Sequence, residues 1–76
     1  MKLKINYYLE EEEIKLIKEQ MQSLKISYED LSKKYGTTRQ NVFSQVAKKK
    51  VLTPKLLNVL IENLNLKVEN NKLIKK

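Results

Sequence analysis

The chain has 76 residues, contains neither cysteine nor histidine, and carries a net charge of +7. Without cysteine there is no disulfide framework or thiolate metal site, and without histidine the commonest general base and metal ligand is missing. We therefore expect neither an enzyme nor a cofactor or metal site. A chain of this length predicts one small domain, residues 1–76, with a modest core that often gains stability from a second subunit.

The N-terminal third predicts a strand followed by a helix. Residues 1–8 alternate polar and apolar side chains, the two-residue period of a half-buried strand that needs a pairing partner. Residues 9–25 follow as a helix. Its apolar residues at helical spacing are Ile14, Ile17, Met21 and Leu24. The glutamates at 10–13 are explained by the helix dipole, whose positive end they complement. The alternative explanations for them are an acidic interaction tail and a cation site.

Residues 27–49 predict two short helices joined by a tight turn, which is the arrangement of a helix-turn-helix motif. Ser27 can cap the first helix, and Asp30 can reach back to the cap as a capping box. Gly36 is the only glycine in the chain. It ends the first helix, because the position after a helix end often needs a positive φ that glycine adopts freely.

The second helix of the motif is predicted over residues 39–49, with Thr37 or Thr38 as its cap. Val42 and Val46 lie four residues apart and form its buried stripe. With these valines inside, steps of about 100° per residue turn a set of five side chains outward or to the flanks. This set is Arg39, Gln40, Phe43, Ser44 and Ala47.

The outward side chains suit the base edges in the major groove of DNA. Arg39 is the only arginine beside fifteen lysines, and its planar group can bind guanine O6 and N7 in a bidentate way. Gln40 suits adenine N6 and N7. Phe43 can contact a thymine methyl group, with a core position as the alternative, and Ser44 can adjust the choice nearby. For Arg39 the alternative is a solvated helix start.

The C-terminal part predicts a fourth helix and a hairpin. Thr53-Pro54 is a cap followed by proline at the first helical position, and the helix runs to about residue 65. Its apolar residues cover roughly 200° of the surface. Part of that surface can meet a second subunit, with Val59 at the edge as the best candidate; the alternative is that the helix is wrapped deeply in the core.

Residues 66–76 predict two short strands around Asn70-Asn71, since asparagine tolerates the positive φ of a two-residue hairpin turn. Residues 3–7 can add a third strand, and a frayed lysine-rich tail is the alternative. The predicted fold class is mainly α: a compact four-helix helix-turn-helix domain with a small β-sheet from the N-terminal strand and the C-terminal hairpin.

The positive charge is concentrated on the motif. Residues 31–50 carry five lysines and one arginine without any acid, a net charge of +6, whereas residues 1–30 have a net charge of −2 and residues 51–76 of +3. A polyanion-binding surface needs such clustering, because each neutralised phosphate releases counterions. A solvated lysine-rich surface is the alternative, but it explains the total charge better than the acid-free stretch.

The order of these features resembles the Cro/C1-type (XRE-like) helix-turn-helix family of small phage and plasmid repressors. The features that carry the resemblance span roughly residues 10–66 and are the capped first helix, Gly36, Thr37-Thr38-Arg39-Gln40, Val42 and the Pro-started apolar helix. The resemblance implies that Thr38, Arg39, Gln40 and Ser44 face DNA and that the start of the preceding helix, near Tyr28, lies against a phosphate.

Two departures from the family pattern concern the recognition helix. Many members carry an apolar residue where Gln45 stands, whereas here the apolar position falls one residue later, at Val46. The glycine that often follows this helix is replaced by a lysine run at 48–50. The rotation of the helix and its exit turn therefore stay open at the level of the sequence.

The main hypothesis is a DNA-binding transcription regulator of the phage or plasmid repressor type, which binds two half-sites as a homodimer. Base contacts would come from Arg39, Gln40, Phe43 and Ser44. Phosphate contacts would come from Tyr28, Thr38, Lys48, Lys49 and Lys50. The alternative is a protein-binding module, such as an antitoxin, an anti-repressor or a phage-encoded inhibitor, on the same scaffold.

The apolar runs are only a few residues long, too short for a membrane span, and the charged N-terminus lacks the apolar segment of a signal peptide. We therefore expect a cytoplasmic, nucleoid-associated protein.

Overall fold

Four α-helices and two small antiparallel strand pairs make up the computed structural model, which describes residues 6–76. The helices are α1 (Glu11–Leu24), α2 (Tyr28–Tyr35), α3 (Arg39–Phe43) and α4 (Pro54–Asn63). A π-helical segment, Ser44–Lys49, continues α3 without a break. The strands are β1 (Tyr7–Tyr8), β2 (Val51–Leu52), β3 (Leu66–Glu69) and β4 (Lys72–Lys75). The predicted mainly α fold with small β-elements is confirmed.

The caps predicted from the sequence determine where α2 and α3 begin and end. The Asp30 amide donates to the Ser27 hydroxyl at 3.2 Å, and the Ser27 amide donates to the Asp30 carboxylate at 2.9 Å, which completes the predicted capping box. The hydrogen bonds that the Ser27 amide and the Ser27 hydroxyl donate to its carboxylate lower the pKa of Asp30. Gly36 has the predicted left-handed backbone, at φ 85°. Of the two threonines proposed as the cap of α3, Thr38 fills that role and accepts from the backbone three residues on.

The core lies where α1, α4 and the two motif helices meet, and the apolar sides of β2 and β3 close it. Its fully buried side chains are Ile17, Leu31, Leu52, Leu56, Leu57, Leu60, Leu64, Leu66, Val42 and Val46. Each contributes on the order of 2 kcal/mol by leaving water. No helix in the described part of the chain is long and apolar enough to cross a membrane.

Helix α4 is wrapped deeply in this core, which corrects the prediction for Val59. Its side chain is only 8% exposed and belongs to the core cluster. So small an area offers almost nothing to a second subunit. Deep burial, the alternative weighed for α4, accounts for its broad apolar surface, and Val59 is a core residue.

The N-terminal strand has a different partner from the predicted one. β1 pairs with β2 in antiparallel register, with Tyr7 opposite Leu52 and Tyr8 opposite Val51. The Leu9 amide extends the pairing by donating to the Lys50 carbonyl at 2.8 Å. The prediction that this strand joins the hairpin sheet is therefore wrong for the residues that the structure describes, and positions 1–5 of the predicted strand lie outside them.

The C-terminal hairpin is confirmed. β3 and β4 pair over four residues each, and the turn residues Asn70 and Asn71 have φ of 55° and 63°, as a two-residue turn of this kind requires. Leu66 and Leu73 face the core, with exposed fractions of 0% and 3%. These two anchors explain why residues 66–76 form a hairpin instead of a frayed tail.

Glu13 connects the chain ends to α1 through a buried carboxylate, 5% exposed. It accepts hydrogen bonds from the Tyr7 hydroxyl, from the Leu73 amide at 2.9 Å and from the Glu10 amide at 2.8 Å. Burial, and to a smaller extent the hydrogen bond to Glu13, raises the pKa of the Tyr7 hydroxyl above its ordinary value. The acidic start of α1 therefore does more than complement the helix dipole: one of its carboxylates joins β1, α1 and β4.

Candidate nucleic-acid interface

The turn between α2 and α3 is fixed by hydrogen bonds from both sides. The Gly36 and Thr37 amides donate to the Ser32 carbonyl at 2.8 and 3.0 Å, which closes the end of α2. From α3, Asn41 donates through its backbone to the Thr38 hydroxyl at 3.2 Å and through its side chain to the Thr37 hydroxyl at 3.0 Å. Both threonines proposed as caps thus accept a hydrogen bond from Asn41. No pattern in the sequence pointed to Asn41.

After this turn, α3 and its π-helical continuation bury the two valines predicted to face the core. Val42 and Val46 are both completely buried. Arg39 and Gln40, at the start of α3, are exposed. The orientation derived from the valine spacing is confirmed, and the two proposed base readers face solvent.

From Ser44 onward the helix is π-helical, whereas the sequence predicted a regular helix to about residue 49. The last bond of the segment joins the Lys50 amide to the Gln45 carbonyl, five residues back. A π-helix turns less per residue than an α-helix, so the consecutive side chains Gln45 and Val46 both reach the interior. The apolar Val46 and the polar Gln45 beside it are therefore both core-facing.

Gln45 takes part in a polar junction of three helices. Its side-chain oxygen accepts a hydrogen bond from the Thr53 amide at 3.1 Å, and the Thr53 hydroxyl lies 2.8 Å from the Tyr35 hydroxyl. Thr53 also caps α4. We call Tyr35, Gln45 and Thr53 the Thr53 junction. It connects α2, the π-helical segment and α4. The sequence indicated it only through Gln45, a polar residue directly before the apolar Val46.

Three of the four proposed base-contacting residues border one shallow recess of about 360 Å³. Its lining is formed by Tyr28, Arg39, Gln40 and Phe43. We call it the Phe43 recess. Ser44, the fourth proposed residue, is half-buried and does not line it.

An aromatic pair forms one wall of the Phe43 recess. The rings of Tyr28 and Phe43 stand 5.4 Å apart between centroids and at 85° to one another, an edge-to-face arrangement. Phe43 keeps 38% of its surface exposed. It is therefore not a core residue, the alternative considered for it. Tyr28 is half-buried, and burial raises the pKa of its hydroxyl.

The proposed phosphate-contacting lysines differ in their surroundings. Lys48 and Lys49 are exposed at the end of the π-helical segment. Lys50 adopts a left-handed backbone, φ 58°, and its ammonium group forms an ion pair with Glu11 at the start of α1. The hydrogen bond from Lys50 lowers the pKa of Glu11. The charge of Lys50 is thus partly offset by an exposed carboxylate, so the proposal below does not depend on Lys50 for a phosphate contact.

Comparisons with protein-family models, with curated proteins and with solved structures give no match to this chain. The functional argument therefore depends on the geometry and charge of the site described above.

Proposed function

We propose that the protein is a sequence-specific double-stranded DNA-binding regulator that inserts the start of α3 into the major groove. One observation carries the proposal: Arg39 and Gln40 are exposed on a helix whose opposite side, Val42 and Val46, is completely buried. This helix lies in the stretch 31–50, which has a net charge of +6 and no acid. Exposed side chains capable of bidentate hydrogen bonds, in a stretch that carries six positive charges, are what base reading beside phosphates requires.

In this proposal the side chains of the site have two roles, base reading and phosphate contact. Arg39 and Gln40 read base edges, with Phe43 and Ser44 beside them. A second set contacts the phosphate backbone and supplies affinity that does not depend on sequence. This set consists of Tyr28, Thr38, Lys48 and Lys49.

Two copies are needed for useful specificity, because one short helix reads only a few base pairs. In this proposal a homodimer places its recognition helices on half-sites about one helical turn, or about 34 Å, apart. A symmetric preferred sequence is the expected signature. A small repressor of this kind, of phage or plasmid type and associated with the nucleoid, would be controlled by its own concentration or by a protein partner.

The test begins with selection of preferred sites from a random duplex library, followed by anisotropy titrations at about 50 and 200 mM salt. Arg39→Ala is expected to reduce the affinity for the preferred duplex and to leave random duplex almost unaffected. Lys49→Ala is expected to weaken binding to both duplexes alike and to lower the slope of log affinity against log salt by about one per half-site, or about two for the dimer.

Lys15→Ala serves as the matched control, because Lys15 is an exposed lysine on α1, outside the acid-free stretch. It should change neither the preference nor the slope. Failure of the selection to enrich any sequence would refute the proposed function, and equal losses on both duplexes for Arg39→Ala and Lys49→Ala would refute the division of roles.

A second candidate function, a protein-binding module such as an antitoxin or anti-repressor, is favoured by one observation. A mainly apolar groove of about 450 Å³ runs between α1 and the start of α2. Met21, Ile26, Tyr28 and Phe43 are among its lining residues. If this is the functional surface, the salt titration shows weak, unselective DNA binding and the lysines act only as solvated charges.

A further inference from the structure

The Phe43 recess combines an aromatic wall with a polar edge. The wall is the Tyr28–Phe43 pair, and the edge is formed by Arg39 and Gln40. Phe43, the last residue of α3, keeps 38% of its surface exposed, and covering this aromatic surface with an apolar group is favourable because it removes the ring from water. The recess therefore fits a ligand that is apolar at one point and offers hydrogen-bonding groups next to it.

A base pair in the major groove offers one such apolar group. The C5-methyl of thymine is the only apolar substituent that projects from the four base edges into the major groove, where the other substituents are hydrogen-bond donors and acceptors. An amino or oxo group placed against the aromatic wall would lose hydrogen bonds to water. We infer that the Phe43 recess binds the C5-methyl group of a pyrimidine beside the base pair read by Arg39. This inference rests on the proposed function and deepens it by assigning a ligand to a site outside the hydrogen-bonding readers.

The spacing of Arg39 and Phe43 places the methyl group close to that base pair. The two residues are four positions apart and lie on neighbouring turns of one helix face. One helical turn advances about 5.4 Å, which is less than two base-pair steps of about 3.4 Å each. The C5-methyl group should therefore belong to the pair directly next to the one read by Arg39, or to the pair after it.

The Tyr28–Phe43 contact makes the recess a preformed feature. The ring of Phe43 is held at 5.4 Å from that of Tyr28 by an edge-to-face contact, so its orientation needs little rearrangement when DNA binds. The same contact links the reading helix to α2. Tyr28 accordingly acts as a wall of the recess through its ring, whereas its hydroxyl serves the phosphate contact.

The experiment substitutes deoxyuridine for thymine, one position at a time and symmetrically in both half-sites, in the preferred duplex. Deoxyuridine lacks only the C5-methyl group. Removing one buried methyl group should lower affinity about fourfold per half-site, or about 15-fold for both. We expect this loss at one position within two base pairs of the Arg39-dependent pair. Where that position holds cytosine, 5-methylcytosine should raise the affinity by the same factor.

Two variants separate recognition of the methyl group from a general change in the duplex. Phe43→Ala should bind the thymine and deoxyuridine duplexes equally at that position, with an unchanged salt slope. Tyr28→Phe removes only a hydroxyl, so it should keep the full thymine preference while losing affinity for both duplexes alike. Comparison within this cycle cancels any effect of deoxyuridine on DNA shape.

The outcomes distinguish the inference from the function on which it rests. Selective binding to the preferred duplex without any position sensitive to the methyl group would overturn the methyl recess and leave the proposed function standing. Retention of the thymine preference by Phe43→Ala would overturn it as well. If no duplex is preferred over random DNA, the proposed function and the recess assignment are both overturned.

Discussion

Gly36 occupies a position where the backbone, and not the space around it, decides which residue is tolerated. Its φ is +85°, and a Cβ atom added there would have no heavy atom within 4 Å. Gly36→Ala should therefore lower the free energy of unfolding by about 1 kcal/mol through left-handed strain alone. Urea denaturation followed by circular dichroism measures this loss.

Gly36→Asn provides the comparison, since asparagine adopts the left-handed region more readily than alanine. It should destabilise the fold less than Gly36→Ala. Equal losses for both variants would show that contacts made by the new side chain, and not the positive φ, are responsible.

At the scale of secondary-structure elements, the Thr53 junction fixes the orientation of α3 and its π-helical continuation relative to α2 and α4. Gln45→Met keeps the volume but removes the acceptor of the Thr53 amide. We expect a loss of about 1 kcal/mol in the free energy of unfolding. Because α3 is then less firmly oriented, the ratio of affinities for preferred over random duplex should fall, while affinity for random duplex stays unchanged.

Ser32→Ala is the control for this effect. Its hydroxyl is also buried, 4% exposed, but it donates to the Glu29 carbonyl at 2.6 Å within the same helix. It should lower stability by a similar amount without changing the affinity ratio. If Gln45→Met behaves like Ser32→Ala in both respects, Gln45 contributes to stability only and does not position the reading side chains.

The elements also show what could be predicted from the sequence and what could not. The caps at Ser27, Thr38 and Thr53, the turn at Gly36 and the Asn70-Asn71 hairpin depend on local backbone chemistry, which the sequence states directly. In the π-helical segment both Gln45 and Val46 are buried in the core. Their burial depends on how distant elements pack, so the sequence indicated the apolar position at Val46 but not the π-helical backbone.

The same limit applies to the pairing of the strands. Two residues of β1 meet two residues of β2 across more than forty positions, and elements so short carry almost no periodic signal. For the site, the valine spacing was enough to orient Arg39 and Gln40 outward. It could not reveal that Lys50 meets Glu11 or that Val59 is buried, because both depend on how distant elements pack.

At the scale of the whole molecule, Glu13 couples the chain ends to the helical core. Glu13→Ala would leave the buried Leu73 amide without its acceptor and release the Tyr7 hydroxyl. We expect the free energy of unfolding to fall by about 2 kcal/mol. Amide hydrogen exchange at Leu73 should accelerate more than exchange within α4.

Glu12→Ala is the matched control, an exposed carboxylate in the same first turn of α1. It should change stability by less than about 0.5 kcal/mol. A comparable loss for both variants would attribute the effect to the helix dipole instead of the junction between β1, α1 and β4.

The ion pair between Glu11 and Lys50 marks a border on the molecular surface. Lys50 belongs to the stretch 31–50, which has no acid, whereas Glu11 lies beside the exposed Glu10 and Glu12. A DNA duplex that extends past this border would bring its phosphates towards carboxylates and be repelled. If the proposed function holds, the footprint on DNA should therefore end abruptly where the π-helical segment ends, so that this edge limits how far the protein can shift along the groove.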